Sequence, residues 1–562
     1  MNRQFLMKIV SQVATAPFLV GTSLLFCALI YYYFAVLRID YSKTALLDLG
    51  PHPDATEYFA QAKALLKDRW PSIQIGYDKL PSRYPFGYPA LMLPWLKILP
   101  QRDSVLAPFR TNQTIGLVLL LAVFGFYTYL AMPATGGLAA LLVATVPSFV
   151  TFCRSSMSEI STSMLFVLAF MFAYLGLKEE RRWKIYLAAI FLGLSLNIRV
   201  QSFFFAPLLL AMALFPIMGR PLRWFLHCVA VLIVFALAVS PVLVLNTIQF
   251  HSPFKTGYGF WVPYFYEFSG AHFSGKPLLF FLHYIPSNAA FLWREFSLEP
   301  QGFTAANIFG TGTSFVTAFV LLICAGVCFV RPSRFVGCAF LAGLSFLAGT
   351  ASSSPADGRF YLPLLILLVA VAVLPVTWAA KNLVVGQRVI AALAIFALFA
   401  AACLGYPSRS GYKTVEINRS QAWDALHFTT PARRPAQFVA QRDFTELFSR
   451  QPGVVLSDID PVYLNALLPA PFVAAPLDGK HHYQWSRIWR YDRPQALALV
   501  KRGLDQSLPV YALFVSQKDM EKKASRLPEL DGYRWAILDT SVSAKAVVLE
   551  LARATSGDGM PF

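Results

Sequence analysis

The sequence SSMSEISTSMLFVLAFMFAY, at residues 155–174, contains the element that decides the fold. One acid, Glu159, begins an apolar run that extends to about residue 177. That run matches the roughly 20 apolar residues that a helix needs to cross a bilayer. Similar runs recur through the first 406 residues, and the chain is 56% hydrophobic but only 14% charged. Because a soluble domain is about 25% charged, we predict a polytopic α-helical membrane protein.

The apolar runs predict about eleven transmembrane helices. The first run follows a short basic start and is too long for the core of a signal peptide, so we interpret it as a retained anchor. The fifth run is short, and Asn197 and Arg199 separate it from the sixth, which predicts a broken or re-entrant hairpin. The predicted spans are residues 17–37, 113–132, 135–152, 159–177, 184–198, 201–218, 224–246, 304–330, 335–351, 360–379 and 388–406.

Basic residues beside the apolar runs fall mostly on one side of the predicted bundle. The short links on the opposite side hold only Arg154, Arg199 and Arg359. Because cytoplasmic links carry the excess of Lys and Arg, we predict an inner-membrane protein with a cytoplasmic N-terminus and a periplasmic C-terminus. Long loops at 38–112 and 247–303 then lie outside. The links predicted to be cytoplasmic hold Arg3, Lys8, Lys178, Arg181, Arg182, Lys184, Arg220, Arg223, Arg331, Arg334, Lys381 and Arg388.

The net charge of +18 follows from this topology. A soluble protein with the same charge would be a candidate for nucleic-acid binding, but here we predict no nucleic-acid partner. The second outer loop begins HSPFKTGYGFWVPYFYEF, and its dense aromatic rings are typical of the boundary between membrane and water.

The composition changes after about residue 407, where charge rises and apolar runs shorten to strand length. The runs GVVLS, FVAAPL, PVYALFVS, WAILDTS and AVVLELA are separated in places by helical stretches such as RPQALALVKRGL. This alternation predicts a small α/β domain. We therefore divide the chain into a transmembrane domain at 1–406 and an extracytoplasmic domain at 407–562.

Three acids at the predicted outer face are candidates for chemistry. Asp54 precedes a helical pattern, so it is either a helix cap or a functional carboxylate. Glu57 follows three residues later, which is also the spacing of a capping box. Glu159 lies near a helix start, where a carboxylate is favoured, but acids in membrane segments are also functional candidates. A divalent cation held by these acids stays open as a cofactor, and the sequence requires none.

Four cations lie at the outer face against the charge bias: Arg83, Arg199, Lys255 and Arg359. The arginine fork suits a phosphate because it donates to two oxygens at once. The alternatives are a surface position or a structural ion pair, and Asp357 is an obvious partner for Arg359.

The motifs, taken in order, resemble the GT-C membrane glycosyltransferases. Within them the sequence is most similar to the bacterial branch that includes the aminoarabinose lipid A transferases and the protein O-mannosyltransferases. The similar pieces cover nearly the whole membrane portion. They are PHPDATEYFAQAKAL, SRYPFGYPALMLPW, SSMSEISTSMLFVLAFMFAY, GLSLNIRVQSFFFAP, NTIQFHSPFKTGY and RFYLPLLILL.

The resemblance implies an inverting transfer of a sugar from an undecaprenyl- or dolichyl-phosphate donor to a lipid, glycan or protein acceptor. It implies that Asp54 is the catalytic base or orients the acceptor, and that Glu159 is the second acid of the site. It also implies that Arg199 and Arg359 hold the donor phosphate. Many members carry adjacent acids in the first loop, but Pro53 and Ala55 flank Asp54 here.

Further residues are predicted to assist this site. They are the phosphate-binding candidates Arg83 and Lys255 and the supporting residues Glu57, Tyr58, Tyr84, Tyr88 and Tyr361.

Two other functions stay open. A polymerase or ligase of lipid-linked glycans would use the same face and the same donor chemistry. A polyprenyl-lipid transporter or flippase would place polar groups near the bilayer midplane and show internal repeats. No convincing repeat is present in the sequence, and the candidate charges cluster at one face instead.

Overall fold

The structure is a computed structural model that describes only part of the chain. Arg359, Tyr361 and the predicted spans 304–330, 335–351 (apart from residues 348–349) and 388–406 lie outside the described residues. Those residues are 16–38, 54–205, 208–209, 221–261, 285–286, 348–349, 362–380, 451–457, 459–468, 471–477, 491–514, 516–540 and 547–553.

Helices dominate the described part of the chain. They are α1 (Ala16–Tyr32, continued by a π-helical turn at Tyr33–Leu37), α2 (Asp54–Asp68), α3 (Gly87–Ile98), α4 (Ala107–Tyr129, preceded by a 3₁₀ turn at Gln101–Leu106), α5 (Pro133–Thr145), α6 (Pro147–Cys153), α7 (Glu159–Glu179), α8 (Arg182–Ile198, followed by a 3₁₀ turn at Val200–Phe205), α9 (Pro221–Phe250), α10 (Gly257–Trp261), α11 (Leu362–Ala380), α12 (Pro461–Leu467), α13 (Arg493–Asp505) and α14 (Gln517–Lys523).

The strands form two sheets. They are β1 (Ile73–Ile75), β2 (Asp78–Leu80), β3 (Val454–Ser457), β4 (Val473–Pro476), β5 (Val510–Phe514), β6 (Tyr533–Thr540) and β7 (Val547–Arg553).

The chain divides into two compact units. The first contains Met1–Ile39, Asn112–Pro241 and Leu278–Ala432, and the second contains Asp40–Thr111, Val242–Pro277 and Arg433–Phe562.

Within the described residues, four helices are long and apolar enough to cross a membrane. They are Pro17–Leu37, Asp103–Tyr129, Glu159–Glu179 and Pro221–Phe250. They coincide with the spans predicted at 17–37, 113–132, 159–177 and 224–246. The total of about eleven spans stays a prediction.

The third predicted span, 135–152, is wrong as a continuous helix, because the structure divides it into α5 and α6. The break is at Val146, whose backbone is extended at φ −63° and ψ 120°. Pro147 follows, and a proline removes a backbone donor and disfavours helical geometry in the residue before it.

The predicted break between the fifth and sixth spans is confirmed. Helix α8 ends at Ile198, and the next residue, Arg199, is extended at φ −146° and ψ 129°. A 3₁₀ turn at Val200–Phe205 follows. Asn197 donates from Nδ2 to the carbonyl oxygen of Ala238 in α9, at 2.8 Å, so the polar end of α8 is tied to a neighbouring helix.

The second unit contains both sheets. The hairpin β1–β2 is antiparallel, and the larger sheet has the order β4-β3-β5-β7-β6. Strands β4, β3 and β5 are parallel, whereas β7 and β6 are antiparallel additions. All five strands predicted after residue 407 are present. Their buried faces pack with α13 around residues such as Val454, Val510 and Leu549. The predicted boundary at 407 falls outside the described residues.

Candidate active site

The described part of the first long loop begins with the strongest candidate acid. Asp54 is the first residue of α2, and every residue from Asp54 to Ala62 is buried. The Tyr84 hydroxyl donates a short hydrogen bond to Asp54 Oδ1. Burial, and then the charge of Asp54, raise the pKa of Tyr84 well above its ordinary value. The tyrosine therefore stays protonated and acts only as a donor to this carboxylate.

Glu57, one turn further along α2, is held by the residues that precede Tyr84. Arg83 Nε lies 3.0 Å from Glu57 Oε1. The Arg83 backbone N–H and the Ser82 hydroxyl donate to Glu57 Oε2, at 2.9 and 2.7 Å. Burial raises the pKa of the Glu57 carboxyl, while Arg83 and Ser82 oppose that rise. Gln61 also donates to Ser82 Oγ, at 2.8 Å. Three residues of α2 (Asp54, Glu57 and Gln61) therefore form hydrogen bonds to the turn at residues 82–84.

Aromatic rings pack around Tyr84, the partner of Asp54. The ring centroid of Tyr58 lies 4.8 Å from that of Tyr84 and 5.0 Å from that of Tyr88. Tyr258, from the start of the second long loop, packs edge-on against Tyr84 with a centroid distance of 5.6 Å. Tyr58, Tyr84 and Tyr88 thus belong to one ring cluster, and Tyr84 is the member that binds Asp54; their supporting role stays a prediction.

Trp261 is a further residue of this cluster, and like Tyr258 it was not predicted from the sequence as a site residue. Its Nε1 donates to the carbonyl oxygen of Pro81, at 2.6 Å. The Arg83 guanidinium lies 5.9 Å from its ring centroid, and Trp261 is 1% exposed. The dense aromatic composition of the second loop was visible in the sequence, but it indicated a membrane boundary. In the structure, these two rings contact the turn of the first loop, and their position at a membrane boundary stays a prediction.

Gly257 allows this contact between the loops. A Cβ atom at this position would lie 1.9 Å from the Ser82 carbonyl oxygen and 2.7 Å from Arg83 Cα. Both atoms belong to the backbone, so the close approach of α10 to the turn requires glycine.

A second polar cluster lies in the first unit, where the predicted site residues Glu159 and Arg199 form an ion pair. Arg199 Nη1 lies 2.5 Å from Glu159 Oε1, and the two side chains are 11% and 1% exposed. Arg199 also donates to Ser158 Oγ at 3.4 Å and from Nε to Gln201 Oε1 at 3.1 Å. The pair joins the start of α7 to the residue that ends α8.

The same two helices are joined by another ion pair at their opposite ends. Lys184 Nζ lies 2.7 Å from Glu179 Oε2, and Tyr129 donates to the same carboxylate oxygen at 3.1 Å. Helix α7 has 21 residues, so the two pairs are separated by roughly 30 Å along it. The charges of this hairpin are therefore confined to its two ends, as a bilayer requires.

The turn before α7 is buried and polar. Arg154 is 1% exposed. Asn112 donates from Nδ2 to the carbonyl oxygens of Ser155 and Met157, at 2.8 and 2.6 Å. Asn112 was not predicted as a site residue, and nothing distinguished it from the polar neighbours Thr111 and Gln113 in the sequence.

The remaining predicted residues are less informative. Lys255 is exposed, and its backbone N–H donates to the Ser252 carbonyl oxygen at 3.4 Å. Within the described ranges, no three His, Cys, Asp or Glu side chains come together as a metal site. The charged partner of Glu57 is Arg83.

Comparisons with known proteins identify the fold. The sequence matches no family model and no curated protein. The structure is similar to ArnT from Cupriavidus metallidurans bound to undecaprenyl phosphate, with a TM-score of 0.56 and 11% identity over 94% of this chain and 97% of that one. The apo state of ArnT gives a TM-score of 0.57 at the same identity and coverage.

An archaeal enzyme shares the fold as well. The oligosaccharyltransferase of Archaeoglobus fulgidus in its apo form gives a TM-score of 0.50, with 14% identity over 96% of this chain and 75% of that one. The resemblance to the GT-C transferases that the sequence motifs suggested is thus confirmed at the level of the fold.

Proposed function

We propose that this protein is an inverting glycosyltransferase that moves a sugar from a polyprenyl-phosphate donor to an acceptor at the outer face of the inner membrane. The observation that carries the proposal is the buried carboxylate of Asp54, held by Tyr84, whose ring packs against Tyr58 and Tyr258. The fold shared with ArnT, which binds undecaprenyl phosphate, supports a donor of that kind.

Asp54 is proposed as the general base. The acceptor oxygen or nitrogen attacks the anomeric carbon of the donor sugar and loses its proton to Asp54. The bond between that carbon and the phosphate oxygen breaks, and the polyprenyl phosphate leaves with the bonding electrons. A single displacement of this kind inverts the anomeric centre. A positioned base contributes typically 10²–10⁴-fold to such a step.

Tyr84 is proposed to orient this base. Its hydroxyl donates a hydrogen bond to Asp54 Oδ1, and this bond holds the carboxylate in one orientation. The rings of Tyr58, Tyr88 and Tyr258 provide an apolar wall of the kind that lines small-molecule sites.

The donor phosphate is proposed to bind arginines. Arg199 is held in place by Glu159, Ser158 and Gln201, and a pre-oriented guanidinium loses little freedom when it binds an anion. The ion pair supports a role for Glu159 in orienting Arg199. Arg359 remains proposed as the second phosphate ligand. Arg83, which like Arg199 is paired with a carboxylate, and Lys255 are proposed as further ligands of the phosphate.

The test replaces Asp54→Asn and measures sugar transfer from a polyprenyl-phosphate donor in membranes that contain the full-length protein. We expect a loss of at least about 100-fold in kcat. Asp68→Asn is the control, because Asp68 ends the same helix and pairs with the exposed Lys79. Transfer near wild type by a folded Asp54→Asn variant would remove Asp54 from catalysis.

The acceptor and the sugar are identified by a second measurement. Mass spectrometry of membrane lipids and envelope glycans, with and without the gene, shows which molecule gains a sugar. A single added sugar supports a transferase, whereas addition of a whole chain would favour the polymerase or ligase.

A further inference from the structure

The hairpin β1–β2 of the first long loop continues the edge of the C-terminal sheet. At its turn, the Gly76 backbone N–H donates to the Ala474 carbonyl oxygen on β4, at 2.8 Å. Gly76 has a φ of +59°, and a Cβ there would lie 3.3 Å from Leu499 Cδ1. Strand β4 is an edge of the sheet, so the hairpin covers backbone groups that an open edge would expose.

Asn465, on α12, joins the same two pieces of backbone through its side chain. Its Nδ2 lies 3.0 Å from the Gln74 carbonyl oxygen on β1 and 2.7 Å from the Ala474 carbonyl oxygen on β4. Its Oδ1 accepts from the Ala474 backbone N–H at 2.8 Å, and Nδ2 also lies 2.9 Å from the Pro461 carbonyl oxygen within its own helix. One side chain thus bridges the loop and the sheet.

Tyr77, at the hairpin turn, connects the hairpin to the core of the large sheet and to α13. Its ring packs against the hydrophobic core of the large sheet. The Arg502 guanidinium lies 4.0 Å from the ring centroid, and the hydroxyl donates to Gln506 Oε1 at 3.4 Å. Both partners belong to the α13 region, so the hairpin is held between α12 and α13.

Helix α12 also packs directly against α2 and against β1. We call the elements β3–β7 and α12–α14 the C-terminal α/β layer. This layer therefore supports α2 in two ways: directly through α12, and through the hairpin β1–β2, which follows α2 in the chain. The first turn of α2 carries Asp54 and Glu57.

We infer that the C-terminal α/β layer is a clamp that fixes the orientation of α2, with Asn465 and Tyr77 as its positioning residues. The catalytic consequence rests on the function proposed above. Catalytic groups work within about 0.5 Å of their productive geometry, and a misplacement of about 1 Å costs on the order of 100-fold in rate. Loosening the clamp should therefore lower kcat, whereas the KM for the donor, which depends on the phosphate ligands, should change little.

The first test compares Asn465→Ala with Gln517→Ala in the full-length protein, purified in lipid nanodiscs. Gln517 is exposed on α14 and donates to Glu521, away from the hairpin. Hydrogen–deuterium exchange of residues 54–68 should become at least about fivefold faster in Asn465→Ala and stay unchanged in Gln517→Ala. We expect kcat to fall about tenfold or more with the donor KM within about twofold.

A cross-link distinguishes positioning from a general loss of structure. A Cβ at Gly76 would lie 3.9 Å from Ala475 Cβ, within the range of roughly 3.5–4.5 Å that a disulfide spans. Gly76→Cys with Ala475→Cys, placed in the Asn465→Ala background, should restore slow exchange and kcat when oxidised. Reduction should reverse both effects.

The outcomes separate the two proposals. Unchanged exchange of residues 54–68 in Asn465→Ala would overturn the clamp, whatever the transfer activity. Faster exchange with unchanged kcat would overturn its positioning role. A wild-type protein that transfers no sugar would overturn the proposed function, and the exchange measurement alone would then decide the clamp.

Discussion

Arg199 and Glu159 form a buried ion pair that ties the residue ending α8 to the first residue of α7. They are 40 residues apart in sequence, and they were predicted for different roles, one at a phosphate and the other as an acid. Their contact means that neither charge is buried alone. It also gives the broken hairpin a defined polar end.

Replacing Glu159→Gln should destabilise the protein by about 3–5 kcal/mol, because Arg199 would keep a buried charge without its counter-charge. Thermal unfolding in detergent measures the effect. Asp68→Asn is the control. The Asp68 and Lys79 side chains are 29% and 58% exposed, so neither partner is left buried and we expect a cost of no more than about 1 kcal/mol. Equal costs in the two variants would contradict the buried pair.

Tyr84→Phe should lower kcat about 10- to 100-fold, because the Asp54 carboxylate loses the hydrogen bond that orients it. Donor KM should remain near wild type, which steady-state kinetics with a purified donor determines. Tyr129→Phe removes a tyrosine–carboxylate hydrogen bond elsewhere, to Glu179. A similar loss of kcat in both variants would show that the effect is not specific to Asp54.

Glu57 predicts a pH dependence of stability. Burial raises its pKa above the ordinary value of 4.5, so the folded state binds the proton more tightly than the unfolded state. The stability that Glu57 contributes in this way is fully present below about pH 4.5. It is lost as the pH rises through the higher pKa that Glu57 has in the folded state. Relative to Glu57→Gln, the wild type should therefore lose stability as pH rises above about 4.5. Melting temperatures of both proteins between pH 4 and pH 8 test this, and the opposite slope would mean that Arg83 dominates the titration.

Gly257→Ala should destabilise the contact between the loops by about 1–3 kcal/mol and reduce transfer. The new Cβ would meet the Ser82 carbonyl oxygen at 1.9 Å, so the turn that carries Arg83 and Tyr84 must move. Gly125→Ala is the control, since a Cβ there has no neighbour within 4 Å. Thermal unfolding and transfer rates of the two variants should diverge. Equal melting temperatures and equal transfer rates in the two variants would show that the turn can move without loss of stability or activity.

Much of the architecture could be predicted from local patterns. Apolar runs of bilayer length located α7 and α9, and short apolar runs located all five strands of the large sheet. The break at Arg199 followed from polar residues between two apolar runs. These features depend on residues within one or two turns of each other, so composition and period are sufficient. The predicted span 135–152, which is wrong as a continuous helix, also had a local cause, since Pro147 interrupts it.

The candidate residues were also visible as unusual charges, but their partners were not. Tyr84 reaches Asp54 across 30 residues, and Trp261 reaches Pro81 across 180. Asn465 reaches Gln74 across 391 residues. A local pattern carries no information about such distances. Packing alone decides which cation neutralises which acid, because a buried charge requires a partner and only the folded chain determines which one lies within reach.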